Sequence, residues 1–137
     1  MTSGNKAAKI HRDTAQKLLD GFMDRVREVN SSYRFCYTVT DVVVFGSFVN
    51  SDKDMLSDLD IAINMECRYD MHSEQIEAKR NEYKGTDFLQ RLVWPYEEVL
   101  RFLRNRSHYI SIHRLGRDDE EDAIIFSDKV MRMEVPK

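Results

Sequence analysis

The stretch Val42-Val-Val-Phe-Gly-Ser-Phe-Val-Asn-Ser-Asp-Lys-Asp-Met-Leu-Ser-Asp-Leu-Asp-Ile-Ala-Ile-Asn64 decides how the rest of the chain is read. Val42 to Phe45 is an unbroken apolar run, the pattern of a strand buried on both faces. It stops at Gly46-Ser47, where glycine permits a tight turn and serine favours the start of a short helix. Ser51 to Ser57 is polar and turn-like. From Asp58 to Met65 the residues alternate, with Leu59, Ile61, Ile63 and Met65 on one side and Asp58, Asp60, Ala62 and Asn64 on the other. That is the period of a half-buried strand.

The alternation sends the Asp58 and Asp60 carboxylates out of one face at the beginning of a strand. Two adjacent like charges repel, and a cation relieves them. Mg2+ takes hard oxygen ligands and is commonly held by one or two carboxylates together with substrate phosphates. A carboxylate pair of this kind also serves two-metal sites that clamp the attacking and leaving oxygens of a phosphoryl displacement. Gly46 lets backbone approach a ligand closely, and the N–H groups that follow suit phosphate oxygens. Turn and strand together describe a place for a nucleoside triphosphate with Mg2+.

Outward from this stretch, helical spacing of Ala15, Leu18, Leu19, Phe22, Val26 and Val29 predicts one amphipathic helix over 6–30. Tyr33 to Thr40 alternates as an approach to the central strand. His72 to Lys84 reads as an exposed charged helix ended at Gly85. Thr86 caps a turn containing Phe88, Leu89, Leu92 and Val93, and Pro95 opens a further helix over 96–105. A third strand follows over 109–115, then a charged turn at 117–122, an apolar segment at 123–126 and an edge strand over 130–135. The order predicts an α+β domain, a mixed β-sheet with helices packed on one face. No linker interrupts it, so residues 1–137 read as one domain.

The pairing of Gly46-Ser47 with Asp58-Leu59-Asp60, ten residues intervening, resembles the signature of the polymerase-beta-like nucleotidyltransferases. In size the chain is similar to their minimal, single-domain members. The resemblance implies the nucleotidyltransferase fold and transfer of a nucleoside monophosphate, AMP from ATP by preference, to a hydroxyl acceptor. It implies Asp58 and Asp60 as catalytic metal ligands for Mg2+, with room for two ions, and Gly46 and Ser47 as the nucleotide-binding turn. Some minimal members act as antitoxins on a HEPN-type toxin partner, whereas others modify antibiotics or RNA. The family places a third carboxylate on the neighbouring strand. By register that position here is Ser111, with His113 on the same face and Asp118, Asp119 and Glu120 beyond the strand. A degenerate, non-catalytic nucleotide- or protein-binding module is the alternative reading.

Composition narrows the classes. A formal net charge of −3 argues against a general nucleic-acid binder, which would carry a basic excess. Cys36 and Cys67 have neither zinc nor redox spacing and read as reduced thiols of a cytoplasmic protein. No signal sequence and no membrane-spanning apolar run is seen. The series Arg101, Arg104, Arg106, His108, Arg114 and Arg117 reads as a solvated face, with a triphosphate or acidic partner as its sharper use. Lys53 reads as a loop lysine.

Overall fold

The computed structural model describes residues 8–68, 72–115 and 129–136. Along the chain it runs β1 (Ile10–His11), α1 (Arg12–Ser31), β2 (Tyr37–Phe45), α2 (Ser47–Asn50), β3 (Met55–Leu56), β4 (Leu59–Cys67), α3 (Ser73–Arg80), α4 (Phe88–Arg104), β5 (Ile110–Arg114) and β6 (Met131–Met133). The main sheet has the order β5-β4-β2-β6. β2 is antiparallel to both β4 and β6, whereas β4 and β5 are parallel. A parallel pair needs a crossover, and α3 and α4 supply it. The mixed sheet and its helices form an α+β fold consistent with the nucleotidyltransferase fold.

One face of this sheet carries the core. Val42 and Val44 of β2, Leu59, Ile61 and Ile63 of β4 and Ile110 of β5 meet Leu19, Phe22, Val26 and Val29 of α1 and Val99 and Leu103 of α4. The alternate residues leave by the opposite face. There Val43 and Ala62 are buried with Leu115, and Phe45 and Val130 pack against them. Val42, Val43 and Val44 are all at most 1% exposed, as a strand buried on both faces requires.

The elements differ from the sequence reading in five places. α1 begins at Arg12, because Ile10 and His11 pair with Leu56 and Met55 in a separate two-stranded sheet. Two-residue strands carry too little periodicity to be read from sequence, and this one takes Met55 and Leu56 out of the polar connection. The approach at Tyr37–Thr40 and the run Val42–Phe45 form one strand, with a register irregularity between Val39 and Asp41. Ser47 is the first residue of α2, and Gly46 is its N-cap. α3 is exposed over most of its length, as its charge suggests, with one departure. Lys79 is 8% exposed, and its Nζ lies 3.2 Å from Glu98 Oε1 of α4.

The helix expected to start at Pro95 is the second half of a continuous α4, whose N-cap is Asp87, its carboxylate accepting from the Gln90 N–H. Proline in a helix interior removes one hydrogen bond. Here Pro95, Val99 and Leu103 form one buried stripe at four-residue spacing, and burial of that stripe offsets the loss. The charged turn at 117–122 and the apolar segment at 123–126 lie outside the described residues.

Cys36 is buried and Cys67 exposed, and both are free. Burial pushes the Cys36 thiol up from its ordinary value. No helix among the described residues is long and apolar enough to cross a membrane.

Phe22 is fully buried where α1 meets the sheet. Phe22→Ala is expected to lower unfolding stability by about 3–5 kcal/mol, read from chemical denaturation.

Candidate active site

The central stretch folds into strand, turn, short helix, connection and strand. Phe45 closes β2 opposite Asp60 of β4, so the turn at Gly46 stands directly beside the Asp60 side chain. Gly46 has φ 80 and ψ −158, a region that essentially only glycine occupies. A Cβ at this position would lie 2.4 Å from Asp60 Oδ2. Glycine is required here twice over, by backbone conformation and by the carboxylate it faces.

Ser47 opens α2, whose first bonds are Val49 N–H to Gly46 O at 3.1 Å and Asn50 N–H to Gly46 O at 2.9 Å. The N–H groups ahead of these open the helical turn and have no partner within it. Asp58 immediately precedes β4, half-exposed as Asp60 is. Asp60, two residues on, sits on the sheet face opposite α1 and α4.

β5 brings Ser111 into register with Asp60 and His113 with Ala62. Ser111 therefore stands where register from the sequence places it. His113 Nε2 is 3.1 Å from Ser111 Oγ and 3.6 Å from Asp60 Oδ1. Its ring meets Phe45 edge-on, with centroids 5.0 Å apart. One strand end, one turn and one neighbouring strand thus collect Gly46, Asp60, Ser111, His113 and Phe45.

The connection between turn and carboxylates is held by a residue that sequence reasoning missed. Arg12, the first residue of α1, donates from Nη1 to Phe48 O at 2.6 Å, from Nη2 to Ser51 O at 2.8 Å and from Nε to Lys53 O at 3.0 Å. Its backbone N–H donates to Asp54 O at 2.7 Å, and its guanidinium lies 5.2 Å from the Phe48 ring centroid. A planar fork of donors suits three carbonyls in one loop. The sequence offers a weak signal at most: a polar connection has carbonyls that need donors. Asn50 adds a second tie, donating to Lys129 O at 2.9 Å and accepting from Lys129 N–H at 3.0 Å.

Other candidates do not join this site. Lys53 lends its carbonyl to Arg12. Arg101, Arg104 and Arg106 line a surface hollow of about 510 Å³ with Glu97. Arg114 lines a different hollow with Tyr37, Cys67 and Arg80. His108 stacks on Tyr109, with ring centroids 4.5 Å apart. The basic series is therefore split between surfaces rather than gathered at a triphosphate. Arg117, Asp118, Asp119 and Glu120 lie outside the described residues.

Two hard carboxylates, one of them beside a glycine cradle that a Cβ would fill, fit a divalent cation shared with nucleotide phosphates. Among the described residues no three His, Cys, Asp or Glu side chains already converge to hold an ion by themselves.

The chain belongs to the nucleotidyltransferase domain family, whose model matches residues 23–127. This supports its place among polymerase-beta-like nucleotidyltransferases. No curated protein and no solved structure matches the chain significantly.

Two outcomes follow from this geometry. Gly46→Ala is expected to drive the Asp60 carboxylate aside and to destabilise the fold by about 1–3 kcal/mol. Nucleotide affinity, measured by calorimetry, should fall even where the variant remains folded. Arg12→Ala should leave the carbonyls of Phe48, Ser51 and Lys53 without their donor, which faster amide exchange across 46–54 would report.

Proposed function

We propose that this chain is a metal-dependent nucleotidyltransferase that moves AMP from ATP to a hydroxyl acceptor, with pyrophosphate leaving. The observation that carries this reading is the Gly46–Asp60 juxtaposition, in which a Cβ on the close-approach turn would lie 2.4 Å from the strand carboxylate. The backbone N–H groups at Gly46 and Ser47, with the Ser47 hydroxyl, would hold the β- and γ-phosphates. Asp58 and Asp60 would hold the divalent cation, which when bound neutralises phosphate charge that develops during transfer. Arg12 keeps the connection between the two groups in one conformation. Catalysis then rests on orienting the acceptor hydroxyl in line with the α-phosphorus and on neutralising charge.

A protein acceptor is supported by one surface. Phe88, Leu89 and Val93 at the start of α4 are 66%, 69% and 48% exposed, an apolar patch of the kind that partner proteins cover. Transfer to such a partner, as in the pairing of minimal nucleotidyltransferases with HEPN-type toxins, is the acceptor class we favour. The non-catalytic reading is supported by a separate observation, that Ser111 rather than an acid faces Asp60.

Incubation with α-labelled ATP, Mg2+ or Mn2+ and candidate protein acceptors tests the proposal. Label transfer should occur with the wild type and fall about 100-fold or more in Asp58→Ala/Asp60→Ala. Transfer that persists undiminished in the double variant overturns the site assignment. Nucleotide binding without transfer to any acceptor favours the non-catalytic module.

A further inference from the structure

We infer that His113 is a ligand of the divalent cation, which makes the site a mixed carboxylate–imidazole one with a preference for transition-metal ions such as Mn2+ over Mg2+. The inference rests on the metal–nucleotide reading above and adds to it the identity of a ligand and the class of ion. Three observations carry it.

Position comes first. β5 runs parallel to β4, and residues 111 and 113 leave it on the same face as Asp60. His113 and Asp60 come from adjacent strands and converge on one spot, with Nε2 and Oδ1 3.6 Å apart. Two ligands on one ion, each at about 2.0–2.2 Å, stand roughly 3.0–3.5 Å from each other in octahedral or tetrahedral geometry. The observed separation is within a small side-chain adjustment of that span.

Orientation comes second. The ring is not adrift. The Phe45 ring supports it edge-on, and Ser111 Oγ lies 3.1 Å from the same Nε2 that faces Asp60. The hydroxyl thus occupies the nitrogen that an ion would take. Serine is small and its hydroxyl rotates, so it yields readily, whereas an acid at this position would compete with the imidazole for the ion.

Accessibility comes third. The His113 and Asp60 side chains are 36% and 26% exposed, so an ion and nucleotide phosphates have room to enter. Imidazole is a borderline ligand that suits transition metals, while carboxylate suits Mg2+ and Mn2+ alike. Mn2+ shares the carboxylate chemistry of Mg2+ and, as the first of the transition-metal series, accepts a nitrogen ligand more readily than Mg2+ does. The nucleotide phosphates and water would complete the shell.

The test is electron spin-echo spectroscopy of Mn2+ added to the full chain with a non-hydrolysable ATP analogue. Nitrogen-14 modulation from a directly bound imidazole is expected in the wild type and absent in His113→Ala. Calorimetry should show His113→Ala lowering Mn2+ affinity about tenfold or more while Mg2+ affinity changes little. His113→Asp should swing the preference toward Mg2+, and it retains a ligand should the alanine variant fold poorly. Mn2+ that binds with the nucleotide but shows no nitrogen-14 coupling overturns the inference and leaves the metal–nucleotide reading standing. Absence of any nucleotide-dependent Mn2+ or Mg2+ binding overturns both.

Discussion

The close packing of a glycine turn against an aspartate is the constraint on which the rest of the structure depends. Phe45 and Asp60 are register partners, and the chain must turn at Gly46 with almost no space above the carboxylate. The turn has to be glycine, because its backbone torsions and its clearance both exclude a side chain. The β2–β4 register must hold as well, since a slip of one residue would send Asp60 into the helix-covered core face and take Ile61 out of it. The buried valines and isoleucines of these strands make that slip costly, so the core enforces the geometry of the site.

The two faces of the sheet divide the labour. α1 and α4 bury one face and supply most of the apolar contact that holds the molecule together. The other face carries Asp60, Ser111 and His113 beside the smaller cluster of Val43, Ala62 and Leu115, and their alternation with Leu59, Ile110 and Ile112 is the ordinary period of a strand. Arg12 links the two functions. It begins the helix that covers the core face, and its guanidinium reaches the loop that frames the site. Loss of packing under α1 would therefore loosen the loop as well as the core.

The crossover between β4 and β5 is a structure of its own. α3 docks on α4 through Lys79, whose ammonium sits between Glu98 at 3.2 Å and Glu82 at 3.2 Å. Glu98 is largely buried, so removal of Lys79 would strand its carboxylate and cost several kcal/mol, whereas without Glu98 the Lys79 ammonium keeps Glu82. Continuity of α4 through Pro95 belongs to the same account. A buried stripe outweighs one missing backbone bond, and the long helix that results delivers β5 to its parallel place beside β4.

The turn and strand of the candidate site were legible in the sequence because their signals are local. Glycine before serine, and two acids at a spacing of two on an alternating strand, report their own geometry, and the Gly-Ser to Asp-x-Asp spacing pointed to the family that the chain matches. The α+β class followed from the periods of the segments, and Ser111 was placed opposite Asp60 by register alone. The meeting of His113 with Asp60, the grip of Arg12 on carbonyls some forty positions away and the splitting of the arginine series between two surfaces were not legible. Each depends on where separate elements pack, and hydrophobic period carries no information about that. The sequence by itself determined which residues turn, which alternate and which bear charge, since those follow from the chemistry of each residue and its neighbours. Only the tertiary structure decided that the His113 ring meets Asp60 and that Arg12 grips the connection, because both are non-local contacts, the first made by the parallel pairing of β4 with β5 through the α3–α4 crossover.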